Sequence, residues 1–354
     1  FNRKLKILHV FNRAEKIGGR IYFISTGKKI ENGLIRLGHD VEALSDRDII
    51  SYNPSFRGKD HLNKLLLEKS NYYRPDLLLL GHVNSINEDT FFSIRQKNKG
   101  IIISQWYEDN LSSNGPDFQK NYNNLKTNFN NIDNFFISTH PDDITAKNKN
   151  INYQFLPTPV DKNIEKLNVF SNTTFTHDVF FAMSHGVNRG NIKTGKIDER
   201  EKFIKKIISL NKDIKFDIYG YKQRNPVWSE AFYKAIANSY MAININRGKS
   251  KKYSSSNRIG SLVGNGLLTF MDYGKKFHHF FSKNEMIFFN NSHDLSQKLN
   301  FYKKNSTIAK KIAMNGKKKY FKLFNGNEVA EYIVKRSINP NTNYKPVWEK
   351  KLDA

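Results

Sequence analysis

The sequence predicts an α/β protein made of two doubly wound domains in series, and three observations carry that prediction. The chain has 354 residues, more than one hydrophobic core usually serves at roughly 100–200 residues per domain. Short apolar runs recur, bounded by turn residues and separated by stretches of helical spacing, as parallel strands buried on both faces require. A proline-bearing segment, INYQFLPTPVD (151–161), divides these runs into two sets.

The first set opens with KILHVF, then NRAEKIGGR, then a helical pattern through Ile21, Ile24, Ile30, Leu34 and Leu37 that stops at Gly38. HDVEAL supplies the next strand, so the segment reads as a βαβ unit with a right-handed crossover. RPDLLLLGH, GIIISQW and NFFIST follow as three further buried strands. Beyond the proline segment, SNTTFTHDVFFAMSHG opens a new sheet, which KFDIYGY, YMAININ, GLLTFMD and EMIFF continue. Helical patterns near 293–304 and 306–337 and a polar tail after Pro340 complete the chain. The expected division is an N-terminal Rossmann-like domain over 1–160 and a C-terminal Rossmann-like domain over 161–325. Residues 326–354 form a final helix and tail that can cross back. Open α/β sheets bind small ligands outside the carboxyl ends of their strands, so the two domains are expected to face a cleft there.

Composition narrows the function classes. Without a cysteine the chain makes no disulfide, no thiolate zinc site and no cysteine nucleophile. No apolar run approaches the roughly 18–20 residues that span a bilayer. The basic start FNRKLK runs into a strand rather than a signal-peptide apolar segment, so cytoplasmic residence, with peripheral attachment at the inner membrane face, is the expectation. The net charge of +25 favours anionic partners such as nucleotide sugars, nucleic acid or anionic lipid headgroups. Lysine and asparagine are abundant along the whole chain, as an AT-rich coding sequence would also produce. No RRM or zinc-finger pattern accompanies the charge.

The loops after the strands hold the candidate site. Gly18, Gly19 and Arg20 lie between the first strand and first helix, where glycines admit a close ligand and a helix N-terminus offers N–H groups to an anion. The spacing is neither the GxGxxG dinucleotide fingerprint nor a Walker A loop, against dehydrogenase and NTPase readings. In the second half, His185, Gly186 and Arg189 follow one buried strand, and Tyr219, Gly220 and Tyr221 follow another. A cation such as Arg189 beside a diphosphate would stabilise the charge developing on a leaving nucleotide. The segment from Ser254 to Asp272 carries a serine-rich loop with Ser256, then Asn257 and Arg258 at the start of a short helix, then Gly264-Asn265-Gly266 and a strand. Arginine's planar fork suits phosphate oxygens, so replacing Arg258 by alanine is expected to cost donor affinity and leave the fold intact. No closely spaced His/Asp/Glu set has metal-ligand intervals, and His278-His279 reads as helix surface.

From Asn257 the pattern N-R-I-x-x-L-x-G-N-G-L-L-x-x-x-D resembles the C-terminal signature of the spore-maturation-protein-B-like branch of the GT-B, group 1 glycosyltransferases. The closing order through IAKKIAMNGKKKYFKLFNGNEVAEYIV, with its A-x-x-G helix, is similar to that family, as more loosely are KILHVF with LGHDV, QWYEDN and LPTPVD. The resemblance covers most of 4–337. It implies a GT-B fold and transfer of a hexose or other sugar from a nucleoside-diphosphate co-substrate such as a UDP- or GDP-sugar. The acceptor would be a hydroxyl of a glycan, lipid or other molecule, the stereochemistry retaining or inverting, and no metal or other cofactor obligatory. Asn257, Arg258 and the loop at Gly220 would face the donor. Ser261 stands where many relatives carry a glutamate that hydrogen-bonds the donor ribose, a departure from the family's pattern.

Acid–base candidates in the first half are His82, Glu108 and Asp109, all at strand ends. An inverting enzyme needs one of them to deprotonate the acceptor hydroxyl, and histidine needs the least adjustment near neutrality. Two other readings fit the same plan: a sugar-nucleotide epimerase, which needs no acceptor, and a noncatalytic protein that binds nucleic acid, lipid or another polyanion.

Overall fold

A computed structural model of the chain describes residues 3–15, 25–52, 57–113, 115, 117–144, 151–184, 199–222, 224–248 and 251–352. The chain resolves into two compact units, one comprising 1–159 with 325–347 and the other 160–324 with 348–354.

Unit 1 runs β1 (Lys6–Phe11), α1 (Thr26–Arg36), β2 (Asp40–Leu44), α2 (Asp46–Tyr52), α3 (Gly58–Tyr73), β3 (Leu77–Gly81), α4 (Glu88–Lys97), β4 (Ile102–Tyr107), α5 (Phe118–Lys126), β5 (Asn134–Ile137) and β6 (Tyr153–Phe155). Its sheet is parallel throughout, in the order β2-β1-β3-β4-β5-β6, with Ile7 paired to Val41 on one side and to Leu77 on the other. Leu8, Val10, Leu78, Leu80 and Ile103 enter one buried cluster with Leu62 and Leu66 of α3 and Phe91 and Ile94 of α4. Alternation therefore sends Ile7, His9 and Phe11 to the opposite face. Gly38 ends α1 with φ +83°, the left-handed position that glycine adopts at low cost.

Unit 2 runs β7 (His177–Ala182), α6 (Glu199–Leu210), β8 (Phe216–Tyr219), α7 (Ser229–Ala237), β9 (Ser239–Asn244), α8 (Arg258–Gly264), β10 (Leu268–Asp272), β11 (Ile287–Phe289), α9 (Ser292–Lys304) and α10 (Ser306–Phe324). The sheet, again all parallel, has the order β11-β10-β9-β7-β8. One of its faces packs Val179, Phe181, Ile243 and Phe270 with α6, α9 and α10. The other packs Phe180, Ala182 and Ala242 with α7 and α8. Strands covered on both faces explain why these runs are apolar without alternation.

The helical run expected over 306–337 is two helices. Asn325 breaks it by accepting from the backbone N–H groups of Asn327 and Glu328 at 3.0 and 3.1 Å, an N-cap that starts α11 (Gly326–Ile338). Helix α11 belongs to unit 1. There it packs so tightly on α1 that a Cβ on Gly33 would lie 2.1 Å from the Gly326 carbonyl oxygen. The tail beyond Pro340 is not uniformly polar: it carries α12 (Val347–Leu352), whose Trp348 is buried against Phe324 of unit 2. Helices α2 and α3 answer to no run singled out in the sequence. No helix of the described residues is long and apolar enough to cross a membrane.

Candidate active site

Each sheet changes the direction of its strand order once, and this topological switch point is where open α/β sheets bind ligands. In unit 1 the switch lies between β1 and β3, in unit 2 between β7 and β9.

His82 is the first residue after β3, held at φ +55° with its N–H donated to the Trp106 carbonyl at 2.9 Å. A non-glycine residue there is strained, and its imidazole lies across Tyr107, ring centroids 4.2 Å apart. Its Nε2 lies 3.3 Å from Asp109 Oδ2, with the two side chains 19% and 47% exposed. Burial pushes His82 down to about 4 against the opposing pull of Glu108, with Arg47 and Lys120 adding to the fall. Burial also raises Asp109, while Arg47 and Lys120 oppose the rise. Desolvation disfavours charge on both partners, and it holds His82 as an uncharged ring near neutrality.

Glu108 is placed differently. Its Oε2 accepts from Thr26 Oγ1 at 2.6 Å, and its carbonyl accepts from Ser138 Oγ at 2.8 Å. Thr26 begins α1, which Ser25 caps by accepting from Lys28 N at 3.2 Å. Around this turn stand charged groups that the sequence reading did not single out. Lys28 Nζ is 2.8 Å from Glu31 Oε1, Arg13 Nη1 is 3.6 Å from Glu31 Oε2, and Lys29, 1% exposed, donates to the Pro159 carbonyl at 3.1 Å. The signal was present: Lys29 and Glu31 flank Ile30 on a helix whose Gly27 and Gly33 mark close packing. His9, fully buried, accepts from Trp106 Nε1 at 3.0 Å. Burial, then Arg13 and Lys28, push it down to about 3, and its Nδ1 has no hydrogen-bond partner among the described residues. Gly18, Gly19 and Arg20 lie outside the described residues.

In unit 2, Arg258 spans the switch point. Its guanidinium donates to the Ala182 carbonyl at the end of β7, to the Ile245 carbonyl just past β9, and to Asn244 Oδ1 at 3.1 Å. It also lies 5.3 Å from the Phe181 ring centroid. Asn244 in turn donates to Ser255 Oγ at 3.0 Å, which ties the serine-rich loop to the strand end. Arg258 thus joins the ends of β7 and β9, so its removal bears on the fold as well as on donor affinity. Asn257 occupies the N-cap position of α8, and Ser256 before it is exposed. Ser261, one turn in, is 2% exposed.

Beyond β8, Gly220 has φ +71°, and a Cβ there would sit 1.8 Å from the Met183 carbonyl oxygen. Only glycine lets this turn lie on the end of β7. Arg224 stacks 3.7 Å from the Tyr219 ring centroid and donates to the buried Asp217 at 2.6 Å. Tyr221 bridges to Arg224 along the backbone, so Tyr219, Gly220 and Tyr221 lie in one turn that Arg224 closes. Arg224 and Asn244 escaped the sequence reading: Arg224 acts by folding back on Asp217 and Tyr219 at the end of its own preceding strand, and Asn244 by meeting Ser255 and Arg258 across a loop. His185, Gly186 and Arg189 lie outside the described residues. His278 and His279, expected on a helix surface, sit in a single 3₁₀ turn where His278 stacks on Tyr273 at 4.1 Å. Among the described residues no group of three or more His, Asp or Glu side chains could hold a metal ion.

Residues 199–335, from the start of α6 into α11, match the family described as glycosyl transferase-like. No curated protein matches the chain by sequence. Among solved structures it is similar to an alpha-glucosyltransferase in complex with UDP and a 13-mer DNA, at 10% identity and a TM-score of 0.61, covering 95% of this chain and 100% of that one. It is similar to a sucrose-phosphate synthase from Thermosynechococcus elongatus at 8% identity and 0.55, covering 96% and 100%. It is similar to the DNA-modifying enzyme beta-glucosyltransferase at 13% identity and 0.51, covering 94% and 99%. The chain therefore has the GT-B fold, two parallel-sheet α/β domains, with a glycosyl transferase-like segment reaching from unit 2 into the returning helix of unit 1.

Proposed function

We propose that this protein is a glycosyltransferase that moves a hexose from a nucleoside-diphosphate sugar to a hydroxyl acceptor without a metal, in the spore-maturation-protein-B-like branch. The observation that carries the reading is the coincidence of two things in unit 2: the glycosyl transferase-like match and a switch point organised by Arg258. The donor is assigned to that switch point, beside Ser256, Asn257 and the Tyr219–Gly220–Tyr221 turn, with His185, Gly186 and Arg189 as further contacts. Arg258 acts as a positioning residue there. Ser261, being buried, leaves the ribose to other groups. UDP is the first nucleotide to test, since proteins of similar fold were solved with UDP or uridine diphosphoglucose.

In unit 1, His82 is assigned as the base of an inverting transfer and Asp109 as the group that orients it, with Glu108 the alternative. The acceptor oxygen would bond to the anomeric carbon while the bond from that carbon to the diphosphate breaks. The electron pair would leave on the nucleotide and the acceptor's proton would pass to His82. Gly18, Gly19 and Arg20 belong to the same reading as a phosphate or acceptor loop. Cytoplasmic residence at the inner membrane face is its expected location.

The test is a thermal-shift screen of UDP, GDP, CDP, dTDP and ADP with their sugar conjugates, because a ligand that binds only the native state raises its melting temperature. A selective shift by one nucleotide, followed by acceptor-dependent release of that nucleotide, supports transfer. Interconversion of the sugar without an acceptor points instead to an epimerase. The absence of any shift refutes the donor site.

A further inference from the structure

Charge is not spread evenly over the surface of unit 2. Between Asp294 and Glu328 the chain places nine lysines and no acidic residue in 33 positions. The structure sorts eight of them into two sets. Lys298 and Lys303 pair with Asp294 and Asp178, while Lys310 and Lys317 turn inward to the carbonyls of Asn172 and Leu167 at 2.7 and 2.6 Å. Lys304, Lys311, Lys318 and Lys322 point to solvent, and none of the four forms an ion pair among the described residues.

At 100° per residue, Ile308, Lys311, Lys318 and Lys322 fall within an arc of about 80° on α10. Ile308 is 46% exposed at the head of this stripe. Phe301, 51% exposed, lies one turn before Lys304 at the end of α9. Like charges at i and i+4, as in Lys318 and Lys322, repel and cost helix stability. The repulsion is offset within the chain by the buried face of α10, and an external counter-charge would relieve it.

We infer that this edge of unit 2, the outer face of α10 with the end of α9, docks on an anionic lipid surface. Lysine stems lie along the headgroup region with their ammonium groups on lipid phosphates, and Ile308 and Phe301 enter the acyl boundary as on interfacial helices. A bilayer fits the patch better than nucleic acid, because it takes both Ile308 and Phe301 as apolar contacts, whereas a base could stack only on Phe301. The inference rests only on the peripheral location in the proposed function and not on the transfer reaction.

The full chain is sedimented with phosphatidylcholine vesicles, with and without phosphatidylglycerol, and titrated in the same buffer with single- and double-stranded oligonucleotides. The expected result is binding that requires phosphatidylglycerol and weakens about fivefold per lysine removed, hence about a hundredfold in a Lys311→Gln, Lys318→Gln, Lys322→Gln variant. That variant keeps its melting temperature and its thermal shift with nucleotides, which separates this inference from the donor site. Three results overturn it: no binding to anionic vesicles, equal binding by the triple variant, or capture by oligonucleotide alone.

Discussion

Replacing Arg258 by alanine separates a residue that holds the fold from one that only touches a ligand. The substitution removes donors to the Ala182 and Ile245 carbonyls and to Asn244 Oδ1. A buried acceptor left without its partner costs about 1–3 kcal/mol. Arg258 is half-buried, so water replaces part of what is lost, and the expected destabilisation is about 3 kcal/mol. For a unit of this size that is a fall in melting temperature of about 6–12 °C. Urea unfolding followed by intrinsic fluorescence, with a melting scan, measures it, and if the units unfold separately only the unit 2 transition should move. Lysine offers one compact ammonium in place of a planar fork, so Arg258→Lys should recover less than half of the loss. If Arg258→Ala unfolds within about 0.5 kcal/mol of the native chain, the range of an ordinary surface change, while losing donor affinity, the carbonyl bridge is refuted and Arg258 is a ligand contact only.

Three further outcomes follow from unit 1. With His82 down to about 4, kcat/KM for transfer should be flat above about pH 5 and fall below it. His82→Gln should lower turnover by roughly 10²–10⁴ and abolish the acid limb, whereas an unchanged profile removes His82 from the chemistry. His9 is neutral in the fold down to about pH 3 but takes up a proton below pH 6.5 in the unfolded chain. Its contribution is therefore present above pH 6.5 and lost as pH falls toward 3. Set against His9→Gln, which keeps an acceptor for Trp106, native stability should drop by about 1.4 kcal/mol per pH unit across that window; a pH-independent difference in urea midpoint contradicts the assignment. In Gly33→Ala, helix propensity gains about 1 kcal/mol, but the added Cβ meets a backbone carbonyl that cannot rotate away, and overpacking costs about 1–3 kcal/mol. Urea midpoints should show a net loss, and a stabilised variant would mean that α1 and α11 pack less closely.

The sequence by itself determined the class of the fold, because strands covered on both faces are apolar at most positions rather than at alternate ones. LLLLG and the runs around Phe180, Met241 and Phe270 could therefore be read without neighbours. It also determined that His82, Glu108 and Asp109 stand at strand ends, since each directly follows such a run. Helical spacing continues across Asn325, yet the boundary expected at 325/326 for the final helix coincides with the start of α11 that its side chain caps.

Tertiary structure alone decided the rest. Sequence position left His82, Glu108 and Asp109 equivalent; burial and distance pair His82 with Asp109 and give Glu108 to Thr26, 82 residues away. Arg258 read as a phosphate ligand because it stands at a helix N-terminus with a planar fork of donors, yet its partners lie 76, 13 and 14 residues away in sequence. The physical reason is that strand order sets which carbonyls a side chain meets, and that order follows from loop closure and sheet pairing among distant segments rather than from any local pattern.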